Sequence, residues 1–166
     1  MQKTLGLTKS STGDRERAEG PSPHVGHLCF LIARDMRTAL DRALSGLNLR
    51  AQPAAVLVHI CRQRGATPSG LASAVGTDTA GITGLIDQLE KASLVVRRTD
   101  PSDRRSTIIS ATATGRRLLP EIGRVFRAHH AQLLSGFSEE EASMLEGLLK
   151  RMRDNAAEEL KRGIAD

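Results

Sequence analysis

Asp103-Arg104-Arg105-Ser106-Thr107-Ile108-Ile109-Ser110-Ala111-Thr112-Ala113-Thr114-Gly115 is a charged tip, then a short run of β-branched residues, then the opening of a helix. Upstream, Leu94-Val95-Val96-Arg97-Arg98 is a second apolar run ending in arginines, and Asp100-Pro101-Ser102-Asp103 between the two has turn chemistry. Two strands with a turn between them make a hairpin, and this one is tipped with guanidinium groups. From Arg97 to Arg117 there are six arginines and two aspartates, a local balance of 6 − 2 = +4 against +5 for the whole chain. The excess charge is therefore focused on one segment, as expected of a face that meets nucleic acid.

Outward from the hairpin the chain reads as helices. Val25, Leu28, Cys29, Ile32, Met36, Leu40, Ala43 and Leu47 recur at helical spacing, which predicts a long first helix from His24 to Leu47. A second helix is expected over 48–64, with Pro53 tolerated early and Gly65 closing it. Thr67-Pro68 opens a short third helix that Gly76 ends, and Thr77-Asp78 caps a fourth with an apolar stripe of Ile82, Leu85, Ile86 and Leu89. Two short helices joined by a tight turn form a helix-turn-helix. Beyond the hairpin, Leu118, Ile122, Val125, Phe126, His129 and Leu133 mark another long helix, and Ser138-Glu139-Glu140-Glu141 is a capping box for a last one. The expected fold is mainly α with a small β-wing: a winged helix-turn-helix over 49–113, dimerisation helices over 23–48 and 114–166, and a disordered arm over 1–22.

At 166 residues the chain suits one compact unit. It has no apolar run long enough for a membrane span and its start lacks a secretory apolar segment, so a cytoplasmic protein with no membrane partner is expected. Cys29 and Cys61 are too few for a disulfide framework and lack metal-site spacing. The histidines at 24, 27, 129 and 130 stand at no interval that requires a metal, and neither a metal nor a cofactor is expected. With three phenylalanines and no tyrosine or tryptophan, stacking on unpaired bases is disfavoured, which leaves double-stranded DNA as the expected partner. No Gly-rich phosphate loop, nucleophile elbow or paired catalytic carboxylates mark an enzyme. Long amphipathic helices at both ends carry more apolar surface than one small core can cover, so a homodimer is expected. Such a dimer would present two fourth helices to two half-sites.

From Pro23 to the end the sequence resembles the MarR family of winged-helix transcription factors. The family's wing pattern is D-x-R, five residues, then L-T-x-x-G, and it stands here as Asp103-Arg104-Arg105, five residues, then Ala111-Thr112-Ala113-Thr114-Gly115. Thr79 to Leu94, T-A-G-I-T-G-L-I-D-Q-L-E-K-A-S-L, is similar to the family's recognition helix and its exit into the wing. The resemblance implies that Arg105 enters the minor groove while Asp103 holds its guanidinium and Arg104 serves a nearby phosphate. A planar, weakly hydrated guanidinium suits that narrow groove better than lysine does. With the apolar stripe inward, Ala80, Thr83, Gly84, Asp87, Gln88 and Lys91 face outward. The expected DNA-binding set is therefore Thr79, Ala80, Thr83, Gly84, Gln88, Lys91, Arg97, Arg98, Asp103, Arg104 and Arg105.

Relatives often carry arginine where Gly84 and Gln88 stand, and Ser93 takes the place of a helix-ending glycine, which implies either a left-handed cap or a different exit. The resemblance also implies a small-molecule effector, commonly a phenolic or anionic aromatic. Ala54 stands where many relatives have tryptophan, which predicts a roomy aliphatic pocket with Arg34, Arg50 or His59 as polar contacts. Leu28-Cys29-Phe30 is similar to the organic-hydroperoxide-resistance branch, in which that cysteine is the reactive thiol, although a cysteine on an apolar stripe is also ordinary packing. Cys61 is expected to be inert. The expected function is a homodimeric repressor released from a pseudo-palindromic operator by a small aromatic or anionic ligand. Two alternatives stand beside it: a peroxide sensor acting through Cys29, and a winged-helix interaction module with weak or no DNA binding.

Overall fold

The computed structural model describes residues 24–63, 66–100 and 106–163. The expected arm over 1–22 lies outside the described residues, as do Gly65 and the hairpin tip over 101–105. The elements in order are α1 (His24–Leu44), α2 (Ala51–Arg62), α3 (Pro68–Val75), α4 (Thr79–Lys91), β1 (Val95–Thr99), β2 (Thr107–Ala111), α5 (Ala113–Leu133) and α6 (Glu139–Gly163). The chain divides into two compact units at Asp35 and Met36. In the first, Val25, Leu28, Phe30 and Ile32 are exposed and Cys29 is half-buried.

The second unit holds the winged core. There α2 packs on α3, α4, β2 and α5, and α3 packs on α4. Leu44, Leu57, Ile60, Leu71, Ile82, Ile86, Leu89, Ile109 and Ile122 are fully enclosed among them, each contributing about 1.5–3 kcal/mol relative to exposure. β1 and β2 are antiparallel, with Val95 opposite Ala111 and Thr99 opposite Thr107. Ala66 adds one bridge to the far side of β2, exchanging both backbone hydrogen bonds with Ile109.

The local rules explain most of the element ends. Thr67 Oγ1 accepts from the Gly70 N–H at 3.2 Å, with Pro68 at the first helical position. Gly76, at φ 69°, takes the left-handed conformation that ends α3. Asp78 Oδ1 accepts from the Gly81 N–H at 2.7 Å. At α6, Ser138 Oγ accepts from the Glu141 N–H while the Glu141 carboxylate accepts from the Ser138 N–H, the reciprocal pair of a capping box.

Two boundaries depart from the sequence expectation. The first helix ends at Leu44 and a 3₁₀ turn, Ser45–Leu47, follows, closed by Asn48 in the left-handed region at φ 53°. The second helix accordingly starts at Ala51 and not at Asn48. Its cap comes from a distance, because the Ala51 N–H donates to Asp41 Oδ1 at 2.7 Å and Arg50 supplies no side-chain cap.

Candidate nucleic-acid interface

α4 is positioned by its own amphipathic pattern. Ile82, Ile86 and Leu89 are buried, Leu85 is half-buried, and Thr79, Ala80, Thr83, Gly84, Gln88 and Lys91 are exposed on the opposite side. The expected outward face is thus the face that solvent reaches, and its side chains are short and nearly uncharged. One hydroxyl is already engaged, since Thr83 Oγ1 donates to the Thr79 carbonyl oxygen at 2.8 Å.

At the end of α4 the chain turns through Ser93, a non-glycine residue at φ 58°. The Leu94 N–H donates to the Leu89 carbonyl at 2.9 Å and the Ser93 N–H to that of Glu90 at 2.8 Å, which together form a Schellman motif. Of the two exits open to a serine here, the left-handed cap is the one taken. It aims the chain directly into β1.

Thr112 and Gly115, the last half of the wing motif, hold this exit in place. The Thr112 N–H donates to the Leu94 carbonyl at 3.0 Å, and Thr112 Oγ1 donates to the Ser93 carbonyl at 2.8 Å and lies 3.2 Å from that of Leu94. The same oxygen accepts from the Gly115 N–H at 3.0 Å and so caps α5. A Cβ at Gly115 would fall 2.2 Å from the Leu94 carbonyl oxygen, so only glycine allows the helix start to approach this closely. These two motif residues join helices and touch the end of α4.

The hairpin arms carry two arginines on opposite faces, as alternation along a strand requires. Arg98 is exposed. Arg97 has partners within the protein: its guanidinium donates to Asp87 Oδ1 at 2.5 Å and to Glu90, whose carboxylate also faces the Arg97 backbone N–H at 3.4 Å. The Asp87 hydrogen bond foremost, then the charges of Glu90 and Asp87, hold Arg97 protonated above the usual guanidinium range. The Asp100 N–H donates to the Ser106 carbonyl at 2.9 Å and closes the described part of the hairpin. Asp103, Arg104 and Arg105 lie beyond it, outside the described residues.

The expected effector residues divide between the units. Cys29 and Arg34 are in the first, where Arg34 pairs with Asp35 at 2.9 Å. In the second, Arg50 is exposed just before α2 and His59 is half-buried on it. Ala54 is 0% exposed and belongs to the apolar core, with neighbouring side chains closed over its methyl group. Cys61 packs half-buried against the same core, and burial pushes its thiol up, partly offset by the charge of Arg116.

Comparison with known proteins agrees with this geometry. The model of the MarR family matches residues 51–107, from the start of α2 to the first residue of β2. A MarR-family transcriptional regulator from Rhodococcus sp. RHA1 is 32% identical, covering 81% of this chain and 96% of its own, with a TM-score of 0.71. This chain belongs to the MarR family. Among other similar members, CouR from Rhodococcus jostii RHA1, solved bound to p-coumaroyl-CoA, is 34% identical over 84% of this chain and 93% of its own, with a TM-score of 0.68. The transcriptional regulator SlyA is 27% identical over 81% and 95%, with a TM-score of 0.77. For a MarR-family chain the helix-turn-helix of α3 and α4 with its two-stranded wing is the shared architecture. No helix among the described residues is long and apolar enough to cross a membrane.

Proposed function

We propose that this MarR-family regulator is a homodimeric duplex-DNA-binding repressor that a small aromatic or anionic ligand releases from a pseudo-palindromic operator. The observation that carries the DNA reading is the pairing of a solvent-facing α4 with a hairpin whose connecting residues include Arg104 and Arg105. Thr79, Thr83 and Gln88 offer methyl, hydroxyl and amide groups to base edges, and Lys91 and Arg98 supply positive charge for phosphates. With so little charge on α4, affinity leans on the wing. Asp103, Arg104 and Arg105 are assigned the family's roles at the minor groove and a nearby phosphate.

Dimerisation is supported by α6, whose 25 residues include none that is buried, while Met144, Leu148, Leu149 and Met152 are exposed. For the effector, a hydroxycinnamoyl thioester of the kind bound by CouR is a rational first compound to test. His59 and Arg50 are the candidate polar contacts on the second unit.

The test is a salt series of binding to a labelled duplex recovered by in vitro selection. Each phosphate contact should contribute a slope of about −0.9 in log affinity against log salt. Arg105→Ala should weaken specific binding by about 1–3 kcal/mol. Unchanged binding in that variant would remove the wing from the mechanism and favour the interaction-module reading. If the selected duplex is released by an organic hydroperoxide from the wild type but not from Cys29→Ser, the thiol reading replaces ligand release.

A further inference from the structure

Between Thr79 and Lys91, α4 carries Asp87 and Glu90 against a single lysine. A DNA-facing helix with a net negative charge would be repelled by the phosphates it must approach. In this structure both carboxylates are met by one guanidinium from the neighbouring strand, and Glu90 also lies against the backbone N–H of that same residue. β1 pairs with β2 on one side, so this N–H is on its other edge. Glu90 therefore covers a free strand edge while Asp87 sits one turn back on α4. All three side chains are partly exposed, at 36% for Arg97, 48% for Asp87 and 38% for Glu90, so the pairs contribute little to stability. They join α4 to the first wing strand and set the charge presented beside the outward side of the helix.

We propose that Arg97 is a positioning residue and not a DNA contact: it ties the first wing strand to α4 and, together with Lys91, offsets the charge of the two carboxylates, so that helix and wing can meet one duplex together. This rests on the DNA-binding reading above. It departs from what charge alone suggests, since a wing arginine would ordinarily be assigned to a phosphate. Two properties separate the roles. An arginine on a phosphate displaces counterions wherever it stands, and its loss flattens the salt dependence whatever else has been changed. An arginine that acts through Asp87 and Glu90 matters only while those carboxylates are charged.

The experiment is a mutant cycle on the full chain, read by anisotropy on a labelled duplex recovered by in vitro selection, with a scrambled duplex as control. Arg97→Ala should lose about tenfold in affinity in the native background, and less than about threefold in the Asp87→Asn/Glu90→Gln background. In the Asp87→Asn/Glu90→Gln background the salt slope should be the same with and without Arg97. Arg97→Lys should recover part of the loss, because an ammonium neutralises but cannot bridge two carboxylates as a planar fork does. Equal losses in both backgrounds, with a slope reduced by about 0.9, would overturn the proposal and make Arg97 a phosphate contact. Circular dichroism of each variant checks that it is folded, and the Asn/Gln background supplies the comparison should the single variant unfold. If the wild type selects and binds no duplex at all, the DNA reading falls as well, an outcome distinct from a wild type that binds while the cycle shows no coupling.

Discussion

α5 and α6 are helices of similar length with opposite surroundings. α5 buries Gly115, Ile122 and Val125, and its first turn is locked to the end of α4 through Thr112. α6 is better capped and has acidic residues in its first turn and basic ones in its last, yet it buries nothing. Good caps and a favourable dipole set where a helix starts and stops. They do not give it anything to pack on. The buried core of the second unit therefore reaches as far along α5 as Val125, while Met144, Leu148, Leu149 and Met152 of α6 stay exposed.

The sharpest way to break this contrast is Gly115→Val. A side chain there meets the Leu94 carbonyl oxygen and Leu57 Cδ1, both in the packed core, and the strain should reach about 3 kcal/mol or more. Loss of the cooperative thermal transition is expected, and a variant that melts like the wild type would show that the close approach is dispensable. The matching change on α6, Leu148→Asp with Leu149→Asp, should leave the winged core folded while converting a dimer to a monomer in sedimentation or light scattering. Retention of the dimer would move the interface elsewhere.

Smaller effects sharpen the picture at the joint between α4 and β1. Ser93→Gly relieves a left-handed serine and should raise stability by about 1 kcal/mol at most, read as a higher denaturant midpoint with unchanged slope. The smallest concerns Cys61, whose thiol is raised by burial. Since its folded value lies above its unfolded one, the thiol's contribution is fully present below the ordinary thiol range and is lost as pH rises through the raised value. Alkylation at Cys61 should therefore be slower than that of the unfolded chain at pH 8 and approach it in stronger base. Equal rates at pH 8 would show that the thiol is not held protonated.

Much of this was legible in the sequence, because caps and stripes are local. Thr67, Asp78 and the Ser138–Glu141 box each act within three residues of themselves, and Ile82, Ile86 and Leu89 announce the buried side of α4 by spacing alone. What escaped depends on approach through space. Asp41 caps a helix ten residues away, Arg97 finds carboxylates seven and ten residues back, and Thr112 reaches across the whole hairpin. The burial of Ala54 is of the same kind, set by neighbours that close over it from other parts of the chain.

Beyond α4 the chain passes Leu94 and comes back to that residue's carbonyl oxygen at Thr112, eighteen residues later. The hairpin is thus a closed excursion, with both of its roots fastened at one point. Its outer connection can change without altering how the two helices meet, much as a different tool can be fitted to a fixed handle. A different connection between Asp100 and Ser106 should be accepted as long as Val95, Arg97, Ile109, Thr112 and Gly115 stay in place. The reach of the wing beyond its packed strands is therefore free to vary while the alignment of the helices stays fixed.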